Sequence, residues 1–263
     1  MTSSKPQLRS HIKGVIAWGR LTLHMAGVET ANRYRWSRVG TLWPTLSFAI
    51  YSVSVSVVFS VVFQQELRSY LPYLTTGLAC WIFVQSFMVE GVNLLTTYQG
   101  YIVNIRLPLG LYPAILVLRS FYTLALQFPV IIVVKIIFGD TFFPGILLLP
   151  IALILLMVIG AYLASCFSYI GTLFPDVRHL VPSIATILTL ITPILYPVSL
   201  LSEFPLLYKA NPMYYLVTLV RDPLLGNVPP VSIWVGSLLT LCVLLPVQLM
   251  LSRRAGRRVV PLI

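Results

Sequence analysis

Residues 41–63 read TLWPTLSFAIYSVSVSVVFSVVF, 23 positions without Asp, Glu, Lys, Arg or His. As a helix rising about 1.5 Å per residue, the run reaches about 35 Å, enough to cross a hydrocarbon core of about 30 Å with some tilt. Pro44 falls in its first turns, where a missing N–H costs least. Further apolar runs predict spans at about 71–97, 113–138, 145–174, 183–201 and 231–251, six in all. Between 202 and 230 the sequence is proline-rich and mixed, too long for a plain turn and too interrupted for a span.

Upstream of the first span, residues 11–31 carry a helical pattern. Val15, Trp18, Leu21, Met25 and Val28 recur at spacings of three and four, with Arg9, Lys13, Arg20 and His24 roughly opposite them. Ile16 and Glu29 interrupt this pattern. A basic amphipathic helix of this kind is expected to lie in the membrane interface; the alternative is a helix packed on protein. The chain thus divides into an N-terminal segment (1–38), a transmembrane domain (39–252) and a basic tail (253–263).

Composition supports this reading. The chain is 58% hydrophobic and 10% charged, against about 25% charged for a soluble domain. The net charge of +11 does not point to nucleic acid, because of where it lies. Seven of the 18 lysines and arginines precede residue 39, and Arg253, Arg254, Arg257 and Arg258 close the chain. With six spans, 14 of the 18 fall on one side. That side is predicted to be cytoplasmic, with both termini on it.

Catalytic motifs are missing. The stretch from Gly14 to Leu21 approaches a phosphate loop but lacks its lysine and hydroxyl. No HExxH, GxSxG or carboxylate cluster occurs, and Cys80, Cys166 and Cys242 sit singly in apolar runs, so neither metal nor disulfide is expected. Within the spans the ionisable groups are Glu90, Arg119 and Lys135. Lys135 is expected to snorkel to the interface. Glu90 reads either as a pore-facing or pairing group, with Arg119 as a partner, or as a group hydrated near the interface. An ion-coupled secondary transporter or flippase would need several such titratable groups, and an embedded enzyme a polar constellation. Mid-span aromatics Tyr51, Trp81, Phe83 and Phe87 offer faces for sugar C–H surfaces or for ordinary packing.

Three stretches carry a resemblance: RYRWSRVGTLWPTL at 33–46; YLTTGLACWIFVQSFMVEG at 73–91, followed by IRLPL; and FPDVRHLVP through ITPILYP at 174–197, followed by NPMYYLVTLVRDPLLG at 211–226. In this order they resemble the permease subunit of ABC exporters of lipid-linked polysaccharide, most closely the O-antigen exporters, with capsule and teichoic-acid permeases related. The resemblance implies an all-α type 2 ABC exporter: a homodimer of permeases with separate ATPase subunits, which hold the ATP and Mg. Its cargo would be an undecaprenyl-linked glycan crossing the bacterial inner membrane.

The resemblance also assigns residues. The loop at 98–112 would form a coupling helix docking on the ATPase, with Tyr101, Asn104, Arg106 and Leu107 as contacts. Asp176, Arg178 and His179 would line a second cytoplasmic loop or cap helices, Asp176 being placed to N-cap the next helix. Short re-entrant helices would fill 202–230 on the external side, with Asn211, Arg221 and Asp222 as gate residues or as local packing. Gln127 stands where the family often carries an intramembrane Asn.

Overall fold

The computed structural model of the chain describes residues 5–33, 39–105, 107–138, 141–201 and 203–259. These fold into helices α1 (Lys5–Arg33), α2 (Trp43–Val62), α3 (Leu67–Val89), α4 (Leu94–Thr97), α5 (Gln99–Ile105), α6 (Leu111–Phe138), α7 (Leu149–Leu173), α8 (Val177–Ile191), α9 (Pro205–Lys209), α10 (Pro212–Leu225) and α11 (Val231–Val259), with no strand among the described residues. Among the described residues, five stretches are long and apolar enough to cross a membrane: Gly40–Val62, Leu67–Thr97, Leu111–Phe138, Gly145–Leu173 and Val231–Ala255.

The expected span at 183–201 differs. The helix there, α8, has 15 residues and runs from Val177 to Ile191, only about 22 Å. It starts inside the stretch assigned to the second cytoplasmic loop, between Asp176 and Arg178. It ends early because Pro193 forces the residue before it out of the helical region, and Thr192 is extended at φ −79°, ψ 133°. At the other end of the chain, α11 continues to Val259, past the apolar stretch that ends at Ala255.

Helix α3 occupies the centre. It packs against α2, α6, α7, α8 and α10, and two thirds of its apolar window is buried. The outer helices α2 and α11 leave wide apolar faces uncovered, including Val57, Val58 and Val61 on one and Leu239, Val243 and Leu249 on the other. Water does not tolerate faces of that size; lipid does.

Small residues set the distances within the bundle. On α2, Ser52, Ser56 and Ser60 recur every fourth residue and are buried on the helix packed against α3. Each hydroxyl donates to a carbonyl of its own helix, at 2.7 to 3.3 Å, which lets the backbones approach without stranding a polar group. Between α7 and the 91–93 turn, a Cβ at Gly171 would overlap the Val92 carbonyl oxygen. Because that neighbour is backbone, Gly171→Ala is expected to destabilise the chain by about 1–3 kcal/mol. Thermal melting in detergent, compared with wild type, measures this; an unchanged melting point would contradict it.

Helix α1 buries Thr22, Ala26 and Thr30, a stripe of spacing four, and packs along α6. That is the protein-packed alternative for this face, and it places Glu29 against the bundle instead of outside it. Trp18, Leu23 and Val28 stay exposed. Arg9, Lys13, Val15 and Ile16 lie outside the described side chains.

Candidate functional site

Where α1, α3 and α6 meet, four charged side chains join. Arg119, near the start of α6, donates through Nη1 to Glu29 Oε2 (2.8 Å) and through Nη2 to Glu90. Arg33 Nη2 also reaches Glu90, at 3.2 Å. The Tyr98 hydroxyl, between α4 and α5, donates to the Glu29 carboxylate at 2.6 Å. Burial, and after it the adjoining Glu29 carboxylate, pushes the Tyr98 phenol up, so it remains a donor. The forked guanidinium bridges carboxylates on two different helices, a task a single ammonium performs poorly.

Arg119 and Glu90 are thus brought together. Sequence reasoning missed Glu29, Arg33 and Tyr98. The available signal was Glu29 itself, the one acidic residue in the first forty, placed beside an apolar stripe where a solvated acid has no reason to be.

Beside this network lies a cavity of about 130 Å³ lined by Arg33, Glu90, Ser86, Ser120, Thr123 and Gln127 together with the apolar Ile82, Phe83 and Leu124. Gln127 is buried, and its Oε1 has no hydrogen-bond partner.

The short helix α5 is rooted by buried Tyr98 and Ile102, while Tyr101, Val103 and Ile105 stand exposed. Asn104 is exposed, its Nδ2 donating to Gly100 O at 2.7 Å. Leu107 is half-buried. Arg106 lies outside the described residues.

In the second loop, Asp176 is exposed and forms no side-chain cap on α8. The N-cap reading fails because the Asp176 backbone is already helical (φ −64°, ψ −26°), where the side chain is badly placed for the N–H groups ahead. Arg178 caps instead, donating from Nε to Gly171 O at the end of α7 (3.0 Å). His179 is exposed.

At the opposite end of α6, α10 is fastened to the bundle. Asn211 N-caps it, accepting from Met213 N (3.0 Å) and donating to Thr192 Oγ1 (2.8 Å). Arg221 is buried. It donates to Tyr73 OH (2.8 Å) and Pro193 O (2.9 Å), and its guanidinium lies 4.6 Å from the Tyr73 ring centre. Asp222 stands 3.9 Å from Arg221 Nε. Lys135 does not snorkel. It is fully buried and donates to Thr141 O (2.9 Å) and Leu224 O (3.0 Å), over the Phe142 ring. The carbonyls of the α10 C-terminus and of Thr141, just after α6, offer it better partners than distant headgroups.

Among the four mid-span aromatics, Trp81, Phe83 and Phe87 are buried inside the chain, with Phe87 against Gly160 and edge-on to Phe83. Trp81 and Phe87 pack within the bundle on the central helix, while Phe83 also lines the cavity beside the charge network. Tyr51, on α2, is half-exposed. Among the described residues no cluster of His, Cys, Asp and Glu has metal-binding geometry.

Long uncovered apolar helices around a core containing a charged network define an all-α, multi-pass membrane protein. No protein-family model matches the chain. It is similar to the O-antigen export system permease protein RfbA of Myxococcus xanthus, with 24% identity over 201 residues, 75% of this chain and 77% of that protein. The chain is therefore a distant relative of an O-antigen export permease, in line with its three motifs.

Proposed function

We propose that the chain is the permease subunit of an ATP-driven exporter that carries an undecaprenyl-linked polysaccharide of the O-antigen type across the bacterial inner membrane. The similarity to the Myxococcus permease carries this reading. The active unit is a homodimer of permeases with separate ATPase subunits, and the sequence's lack of a phosphate loop fits that division of labour. The Arg119 end of the bundle faces the cytoplasm, as the distribution of lysine and arginine favours. The exposed side chains of α5 then form the docking surface, and its root at Tyr98 bonds directly to the charge network. ATP binding acts on the bundle only if the partner's contacts differ between closed and open states.

Deleting the gene in a glycan-producing strain tests the reading. Lipid-linked glycan is expected to accumulate inside and disappear from the surface. Unchanged surface glycan would refute the proposal.

Docking has its own test. Val103→Asp combined with Ile105→Asp places charge on two exposed positions of α5. It is expected to weaken capture of the ATPase subunit about tenfold or more, with the chain's amount in the membrane unchanged. Undiminished co-purification would remove α5 from the interface.

A further inference from the structure

The cavity beside the charge network does not end at Gln127. A second cavity of about 320 Å³ is lined by Pro44, Ser47, Phe48, Tyr51, Ile82, Thr123 and Gln127. Ile82, Thr123 and Gln127 line both. Together the two form a groove between α2, α3 and α6, from the Arg33–Glu90 pair to Tyr51. The second part alone reaches the lower end of the range for small-molecule sites, about 300–1,000 Å³.

The chemistry of the lining is specific. The Ser86 and Ser120 hydroxyls bond to each other and Thr123 Oγ1 donates to the Arg119 carbonyl, so these oxygens offer a ligand their acceptor lone pairs, and the Gln127 amide adds an uncharged donor and acceptor. Gln127 Oε1 is buried and unpartnered, an expensive state that a ligand hydroxyl, or rotation of the amide toward one, relieves. Charged ligands fit less well. Glu90 already holds two guanidinium groups, so a cation must displace one of them. Arg33 and Arg119 are matched by Glu90 and Glu29, so an anion faces carboxylates. A neutral polyhydroxylated ring displaces neither, and the half-exposed Tyr51 ring gives it a stacking face.

We infer that this groove binds uncharged sugar rings of the transported glycan, with Gln127 and Thr123 as the hydrogen-bonding pair and Tyr51 as the platform. The inference rests on the export function proposed above and adds the place where the permease holds its cargo.

The test uses the full chain in native membranes. In a Cys242→Ser background, which leaves only the buried Cys80 and Cys166, Thr123→Cys is labelled with N-ethylmaleimide. Membranes come from cells making the lipid-linked glycan and from cells lacking its first sugar transferase. Labelling is expected to be about five- to tenfold slower where the glycan is made, the protection expected from occupancy near 80–90%. Equal rates, or no labelling in either membrane, overturn the inference. In parallel, Gln127→Leu is expected to lower export about five- to tenfold at normal membrane abundance, the loss of one or two neutral hydrogen bonds. Full export by that variant also overturns it. The two readings fail separately: if deleting the gene leaves surface glycan intact, export itself is refuted. If deletion abolishes export while labelling ignores the glycan, only the groove is.

Discussion

Arg119→Met is expected to abolish export and to leave the chain poorly folded. The substitution keeps the length of the side chain but leaves Glu29 and Glu90 on facing helices without the guanidinium that joins them. The network is partly exposed, with Arg119 its most buried member, so removing that guanidinium is expected to cost about 1–3 kcal/mol. Melting of the purified chain and surface glycan in the cell are the measurements. Arg119→Lys retains the charge but loses the fork, and is expected to fall between wild type and Met. A double-mutant cycle with Glu90→Gln separates the pair from simple misfolding. A coupling of about 1–3 kcal/mol is expected, and additive effects would show that the two residues act alone.

The second large effect is expected at Arg221. One buried guanidinium joins α10 to Tyr73 of α3 and to the carbonyl of Pro193, just beyond α8. Arg221→Met leaves that carbonyl and the Tyr73 hydroxyl with fewer partners inside the protein, a loss of about 1.5–3 kcal/mol for each bond to the charged group. Limited proteolysis of membrane vesicles is the readout: cleavage near 193–212 is expected to accelerate well before the chain as a whole melts. Unaltered cleavage with a lowered melting point would mean that Arg221 supports the core generally rather than fastening α10.

Much of this architecture was legible in the sequence because lipid imposes a simple rule. Runs such as 41–63 and 145–174 contain no charge, and nothing competes with a spanning helix there. The helix at the fifth expected span has other bounds for a local reason. Its apolar composition extends past residue 192, but Pro193 fixes the backbone irrespective of hydropathy. The site was less legible. Glu90 and Arg119 stood out as charges in apolar surroundings, whereas Glu29 lay in a basic helix whose orientation depends on what it packs against. Lys135 looked like a snorkelling residue because sequence does not show that the α10 C-terminus comes within 3.0 Å of it. The same limit applied to Trp81 and Phe87. An aromatic on a span can face lipid, a passage or another helix, and only the position of α3 at the centre decides among them.

The serines of α2 carry a mechanical consequence. Because each satisfies its own helix, no hydrogen bond among the described residues crosses from α2 to α3. Helix α10, by contrast, is bolted to α3 through Arg221 and Tyr73. The bundle has one greased seam and one riveted seam. A helix sliding along the first need break no polar bond between the two, and what holds α2 in place is its tie to α6, where the Thr45 hydroxyl donates to the Leu126 carbonyl.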